Sequence, residues 1–112
     1  MRVTRTKLNG CVIIEPVVHN DHRGFFMETY QVDRYTDLAG ISLPLLQDNV
    51  SHSKSKVLRG LHFQKRRPQG RLVSVLSGEV FDVAIDIRPD SLTYGQWNSI
   101  MLSAENKKQI WI

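Results

Sequence analysis

Val80-Phe81-Asp82-Val83-Ala84-Ile85-Asp86-Ile87 is the clearest alternation in the chain, and it decides the fold class. Successive side chains of a strand point to opposite faces. Phe81, Val83, Ile85 and Ile87 therefore share one side, and Val80, Asp82, Ala84 and Asp86 the other. The pattern predicts a strand. Taken alone, Asp82 reads as a solvated sheet residue, because it faces away from Phe81 and Val83.

Working outward, the same grammar repeats. Downstream, Arg88 to Gly95 is a loop, Gln96 to Leu102 a strand and Ser103 to Asn106 a turn. Gln109 to Ile112 begins another strand. Upstream, Ser77-Gly78 and Pro68-Gln69-Gly70 are turns that bracket a strand over 71–76. Leu45 to Ser53 reads as a strand with Gln47, Asn49, Ser51 and Ser53 on one face. Gln31 to Ala39 predicts one short helix, stopped by Gly40. Phe25 to Tyr30 is a strand entered from the Asn20-Asp21-His22-Arg23-Gly24 turn. Cys11 to Glu15 is a short apolar strand ended by Pro16. Leu8-Asn9-Gly10 is a turn, and Met1 to Lys7 an edge strand. Many short strands with regular turns indicate an antiparallel sandwich or barrel. No repeat, linker or low-complexity segment interrupts it.

Val57-Leu58-Arg59-Gly60-Leu61-His62-Phe63-Gln64 sets polar groups among strand formers. On a flat strand Arg59 and His62 fall on opposite faces. A glycine within a strand suggests a bulge, and a bulge at Gly60 would turn both into one cavity. The plainer alternative is an outward arginine and a hydrogen-bonded core histidine.

A chain of 112 residues suits one small domain. With 41% hydrophobic and 23% charged residues it has a globular composition. Cys11 is the only cysteine, so no intrachain disulfide forms, in keeping with a reducing compartment. The apolar run after Arg2, Arg5 and Lys7 stops at Glu15-Pro16, too short for a signal peptide or membrane span. The expected location is the cytoplasm. The chain stops within the apolar pattern Ile110-Trp111-Ile112, which suggests a fragment of a longer protein.

The net charge of +4 is unevenly spread. Between Asp48 and Glu79 there is no acid, yet Lys54, Lys56, Arg59, Lys65, Arg66, Arg67 and Arg71 lie there. Such an excess attracts anions, whether nucleic acid or a phosphorylated small molecule. Lys65-Arg66-Arg67 reads as a solvated loop. Arg59 and Arg71, beside apolar strand residues, are the better pocket candidates.

Five motifs in order resemble one family. They are Asp21-His22-Arg23-Gly24-Phe25-Phe26-Met27-Glu28, Gln47-Asp48-Asn49-Val50-Ser51, the Val57–Gln64 stretch, the run from Gly78 to Arg88, and Leu102-Ser103-Ala104-Glu105-Asn106. The chain resembles the N-terminal part of a dTDP-4-dehydrorhamnose 3,5-epimerase, a metal-free cupin. The resemblance implies an all-β, cupin-type antiparallel jelly roll, incomplete at its C-terminal side, with at most one short helix. Residues 1–112 would form the N-terminal part of a single such domain. It also implies a homodimer acting on a dTDP-linked 4-keto-6-deoxy sugar, not on nucleic acid or membrane. His62 would be the catalytic base. Arg23, Glu28, Gln47, Asn49, Arg59, Arg71 and Asp82 would bind substrate. The family commonly has lysine where Arg71 stands, and arginine keeps the charge but not the compact ammonium.

The chemistry agrees with these roles. Hydrogens at C3 and C5 flank the C4 ketone, so each can leave as a proton to give an enolate. An imidazole, with a reference pKa of about 6.5, suits the base near neutral pH. Cations hold the diphosphate and offset developing negative charge. Phe25 and Phe26 read as core, and Tyr94 as packing. His19 and His22 are a weak metal signal without a His-x-His pair, so no metal or other cofactor is expected. The family's proton-donating tyrosine, a Pro-x-Gly-Phe-Ala-His-Gly segment and the aspartate that orients the histidine all match positions beyond Ile112. The competing expectations are a catalytically dead sugar-nucleotide-binding cupin, and a 3-epimerase, 5-epimerase or keto-sugar isomerase on the same scaffold.

Overall fold

The structure is a computed structural model that describes residues 1–112. In chain order the elements are β1 (Arg2–Arg5), β2 (Val12–Glu15), β3 (Val18–Asp21), β4 (Gly24–Met27), α1 (Val32–Ala39), β5 (Leu72–Ser74), β6 (Glu79–Ile85), β7 (Trp97–Ser103) and β8 (Gln109–Trp111). Every strand pairing is antiparallel. A four-stranded sheet has the order β1-β2-β8-β5, and β3–β4 and β6–β7 are separate hairpins.

The register shows how the layers stack. Ile110 of β8 lies opposite Ile13 and Val73, while Trp111 lies opposite Val12 and Leu72. Period-two alternation sends these two rows to opposite faces. On one face Cys11, Ile110 and Val73 pack with Leu8, Ala84, Leu102 and Ile100, so β6–β7 covers that side. On the other, Val12, Ile14 and Trp111 pack with Tyr35 and Ile41, so α1 and the residues after it cover that side. The four-stranded sheet is thus a middle layer, which explains why all three β8 residues are buried. Trp111 lies so close over Gly70 that a Cβ there would stand 2.3 Å from its Cη2 atom.

The helix forms where its termini dictate. Gln31 is the N-cap, and its Oε1 accepts from the Arg34 amide at 2.6 Å. Gly40 ends the helix in the left-handed region, with φ of 70°, where glycine lacks the Cβ penalty. Buried Tyr35 donates to Gln109 Oε1 at 2.8 Å, and Gln109 Nε2 donates to the Thr29 carbonyl at 2.9 Å. These bonds tie helix to β8 inside an apolar cluster, where an unmade bond would be costly. No helix is long and apolar enough to cross a membrane.

Several sequence expectations fail, among them the core placement of Phe25 and Phe26, which are exposed. Neither Leu45–Ser53 nor Val57–Gln64 is a strand, and no regular element lies between Ala39 and Leu72. Strand residues need a ladder partner for their backbone groups, and neither stretch pairs with any strand. Leu58, Leu61 and Phe63 remain exposed. The alternation at 80–87 does give a strand, but its orientation is the reverse of the plain pattern. Val80, Asp82 and Ala84 share the register row of Leu102, Ile100 and Asn98, the side that carries buried Ala84 and Leu102. Phe81, Ile85, Trp97 and Met101 form the outer, exposed face.

Beyond β6, buried Asp86 organises the loop that follows. Its carboxylate accepts from Arg88 Nε at 2.9 Å, Arg88 Nη2 at 2.7 Å, Ser91 Oγ at 2.5 Å and Thr93 Oγ1 at 2.6 Å. Arg88 Nη2 also donates to the Asn9 carbonyl at 2.6 Å, and the Asn9 amide donates to Thr93 Oγ1 at 3.1 Å. The clasp fastens the β6–β7 connection to the β1–β2 turn. The guanidinium and the two hydroxyls hold the Asp86 carboxyl far below the usual carboxylate range.

Candidate active site

The candidate residues occupy four places. Arg23 sits in the β3–β4 turn. Asp21 accepts from its backbone amide at 2.8 Å and from its Nη2 at 2.7 Å, and these bonds with Arg23 lower the Asp21 pKa. Gly24 follows with φ of 133°, a conformation that only glycine adopts freely. The hairpin borders an open concavity of about 490 Å³, lined by His19, Asn20, Asp21, Arg23, Gly24, Phe25 and Phe26. A second concavity, of about 310 Å³, is bounded in part by His19, Phe26, Glu28, Arg34 and Tyr35. Glu28 is held there by Arg34, whose Nε donates at 2.9 Å.

Gln47 and Asn49 lie on the irregular segment and bond to each other, Nε2 to Oδ1, at 3.0 Å. Arg59 and His62 lie further along it. Arg59 Nε donates to Ser53 Oγ at 2.9 Å, and its Nη2 donates to the His52 carbonyl at 3.1 Å. Gly60 has φ of 109°, and a Cβ there would meet the His62 ring at 3.7 Å. The glycine thus turns the chain and seats the imidazole against its own backbone. Both Arg59 and His62 are exposed. No hydrogen bond joins them, and neither lines the two concavities. The bulged strand expected to turn both residues into one cavity does not form, because the stretch is not a strand.

Arg71 and Asp82 occupy the fourth place, the space between the two sheets. Arg71 shares the face of Val73 by parity, and Val73 packs toward β6–β7. Asp82 shares the face of Ala84, which packs back toward Val73. Both residues therefore flank one inter-sheet space, although no ion pair joins them. Arg71 donates instead to Gln69 Oε1 at 3.3 Å. Asp82 is not solvated as its pattern suggested. Its Oδ1 is shielded and has no hydrogen-bond partner. Burial raises its pKa. Burial also raises the pKa of the Cys11 thiol in the same layer, with the Asp82 charge adding to the effect and a Thr6 hydrogen bond opposing it.

A carboxyl whose folded pKa is raised costs stability when charged. That cost is present at neutral pH, shrinks as pH falls through the raised value, and is gone below the unfolded value near 3.9. Asp82→Asn is therefore expected to stabilise the chain at pH 7 by about 1 kcal/mol, the low end for an unpartnered group because Asp82 is only half-buried. The gain should vanish near pH 4. Urea unfolding at both pH values checks this, and a less stable variant at pH 7 would mean that the carboxylate has a partner.

The structure thus groups Arg23 with the hairpin, Glu28 with the helix, Gln47 with Asn49, and Arg71 with Asp82. His62 makes no side-chain hydrogen bond to any of them. His19 lines both concavities, although the sequence had offered it only as a weak metal signal. Its place opposite Phe26 in the β3–β4 register was the available clue. No group of three or more His, Cys, Asp or Glu side chains is gathered where it could hold a metal ion.

Comparison with known proteins completes the picture. A family model described as dTDP-4-dehydrorhamnose 3,5-epimerase matches residues 5–112. The Salmonella typhimurium dTDP-4-dehydrorhamnose 3,5-epimerase is 51% identical over the whole chain, which covers 62% of that protein. The Methanothermobacter thermautotrophicus protein of the same name is 49% identical over 99% of the chain and is 60% covered. Among solved structures, the dTDP-6-deoxy-D-glucose-3,5-epimerase of Legionella pneumophila, in complex with dTDP-4-keto-L-rhamnose, superposes with a TM-score of 0.95. It is 53% identical over 99% of this chain, which covers 59% of it. The chain therefore spans about three fifths of the length of the relatives it matches, as expected of an N-terminal part. With these neighbours its strands and single helix form a cupin-type jelly roll.

Proposed function

The chain belongs to the dTDP-4-dehydrorhamnose 3,5-epimerase family, and from that premise we propose that it carries the base-bearing part of an epimerase. The reaction converts dTDP-4-dehydro-6-deoxy-D-glucose to dTDP-4-dehydro-L-rhamnose by inversion at C3 and C5. The observation that carries the proposal is the likeness over almost the whole chain to a structure holding dTDP-4-keto-L-rhamnose.

In this proposal His62 removes the proton next to the C4 ketone. Arg23 and Arg59 hold the diphosphate, and Glu28, Gln47 and Asn49 donate or accept hydrogen bonds to the nucleotide and sugar. Arg71, with Asp82 facing it across the inter-sheet space, offsets charge developing on the ketone oxygen. The site is assembled between two copies, as a homodimer in the cytoplasm. The unpaired edges of β1 and β5 support such an assembly, since exposed strand edges favour pairing with another chain.

The chain covers three fifths of its relatives, so the 112 residues alone are expected to show little net inversion. The test follows dTDP-4-keto-6-deoxyglucose in D₂O by NMR, with the chain alone and with the C-terminal segment of a relative added. The expected result is exchange at C3 and C5, with inversion only in the mixed sample. Exchange at one position would make it a single-position epimerase. Tight binding with no exchange in either sample would leave only a sugar-nucleotide-binding cupin.

A further inference from the structure

The net charge of +4 hides a division of the molecule into two parts of opposite sign. Residues 49–78 carry seven Lys and Arg and no acid, while the remaining residues carry eight basic and eleven acidic groups. The first part is therefore +7 and the second −3. The fold preserves this division. All five ion pairs, Arg2–Glu15, Arg23–Asp21, Arg34–Glu28, Arg88–Asp86 and Lys108–Glu15, lie outside the basic part. Within it, Arg59 and Arg71 donate only to neutral oxygens. Lys54, Lys56, Lys65, Arg66 and Arg67 are exposed, and no acid partners any of them.

Five unneutralised cations therefore lie on the same stretch of chain as Arg59, His62 and Arg71. Lys65 follows His62 by three positions, and Arg67 precedes Arg71 by four. At about 3.3–3.6 Å per residue these spans are at most roughly 10–15 Å, comparable to the Debye length of about 8 Å at physiological salt. Their field reaches His62 and Arg71 in dilute buffer and fades in salt. Long, exposed side chains hold a ligand poorly, because screening and lost side-chain entropy cancel most of the gain. A field acting over distance instead raises the encounter rate.

We infer that Lys54, Lys56, Lys65, Arg66 and Arg67 form an electrostatic steering surface that captures nucleoside diphosphates and passes them to the site. The inference rests on the proposed sugar-nucleotide function and adds a kinetic role to residues outside its binding set. The test is stopped-flow binding of fluorophore-labelled dTDP at roughly 20 mM and roughly 500 mM salt, which stretch and collapse the field. K65Q/R66Q/R67Q should bind about tenfold more slowly than the parent at low salt, at the small end of steering effects. The difference should close at high salt, and dissociation should change by less than about twofold, as expected for exposed charges. K54Q/K56Q should show a smaller effect of the same form. An unchanged association rate at low salt would overturn the steering role, as would faster dissociation that persists at high salt, the mark of direct contact. If the parent chain shows no saturable binding, the functional proposal falls with it.

Discussion

Asp86→Ala is expected to lower the unfolding free energy by about 2–3 kcal/mol, the upper range for removing a buried acceptor that several donors share. The Asp86 side chain is 1% exposed, whereas that of Arg88 is 58% exposed. The arginine can recover water. The Ser91 and Thr93 hydroxyls lose their common acceptor, and the Asn9 turn loses the fixed Arg88 and Thr93 groups it bonds to. A loss of this size should move the midpoint of thermal unfolding by on the order of 10 °C or more in a domain this small. The effect should depend on pH in a definite sense. The Asp86 pKa is depressed in the folded chain, so its contribution is complete above the unfolded value near 3.9 and drains away as pH falls below it. Parent and variant should differ most near pH 7 and converge in acid. Equal stability at pH 7 would show that the clasp closes without the carboxylate.

His62→Ala should reduce exchange of the C3 and C5 hydrogens with solvent by about 10²–10⁴-fold, the usual contribution of general acid-base catalysis. The exposed imidazole makes no side-chain hydrogen bond, so the fold should survive its loss. Binding of dTDP should change little, because the diphosphate is assigned to arginines. NMR exchange rates and dTDP titration together separate the two roles. If exchange persists undiminished, the base lies elsewhere.

Much of the architecture is legible in local chemistry. Gln31 and Gly40 mark the helix because capping is local: one side-chain oxygen reaches an amide three residues on, and one glycine takes a left-handed turn. The 80–87 alternation marks a strand for the same reason. Which face turns inward is not local. Ala84 is small enough to let two sheets approach, and Asp86 is neutralised by Arg88, so the acidic face is the buried one. Val57–Gln64 fails as a strand because propensity in a strand expresses packing against neighbours, and that stretch pairs with no strand of any sheet. The site shows the same limit. Residue types and order identify the family, but the parity argument for Arg59 and His62 required a ladder. Arg23, Arg59 and Arg71 are all exposed, so neighbouring apolar residues in sequence do not by themselves bury an arginine.

The place of β8 has a consequence for biosynthesis. β2 and β5 touch no common partner except β8, through the row Val12–Trp111–Leu72. On the ribosome β2 emerges early and β8 last among these strands. At roughly 5–20 residues per second, the interval from Val12 to Trp111 lasts on the order of 5–20 seconds. Throughout it the nascent chain presents Val12 and Ile14 with one side of their ladder open, an invitation to misassembly that chaperones exist to shield. The middle layer cannot close until translation reaches residues 109–111, so the time at risk is set by the ribosome rather than by the chain's own folding rate.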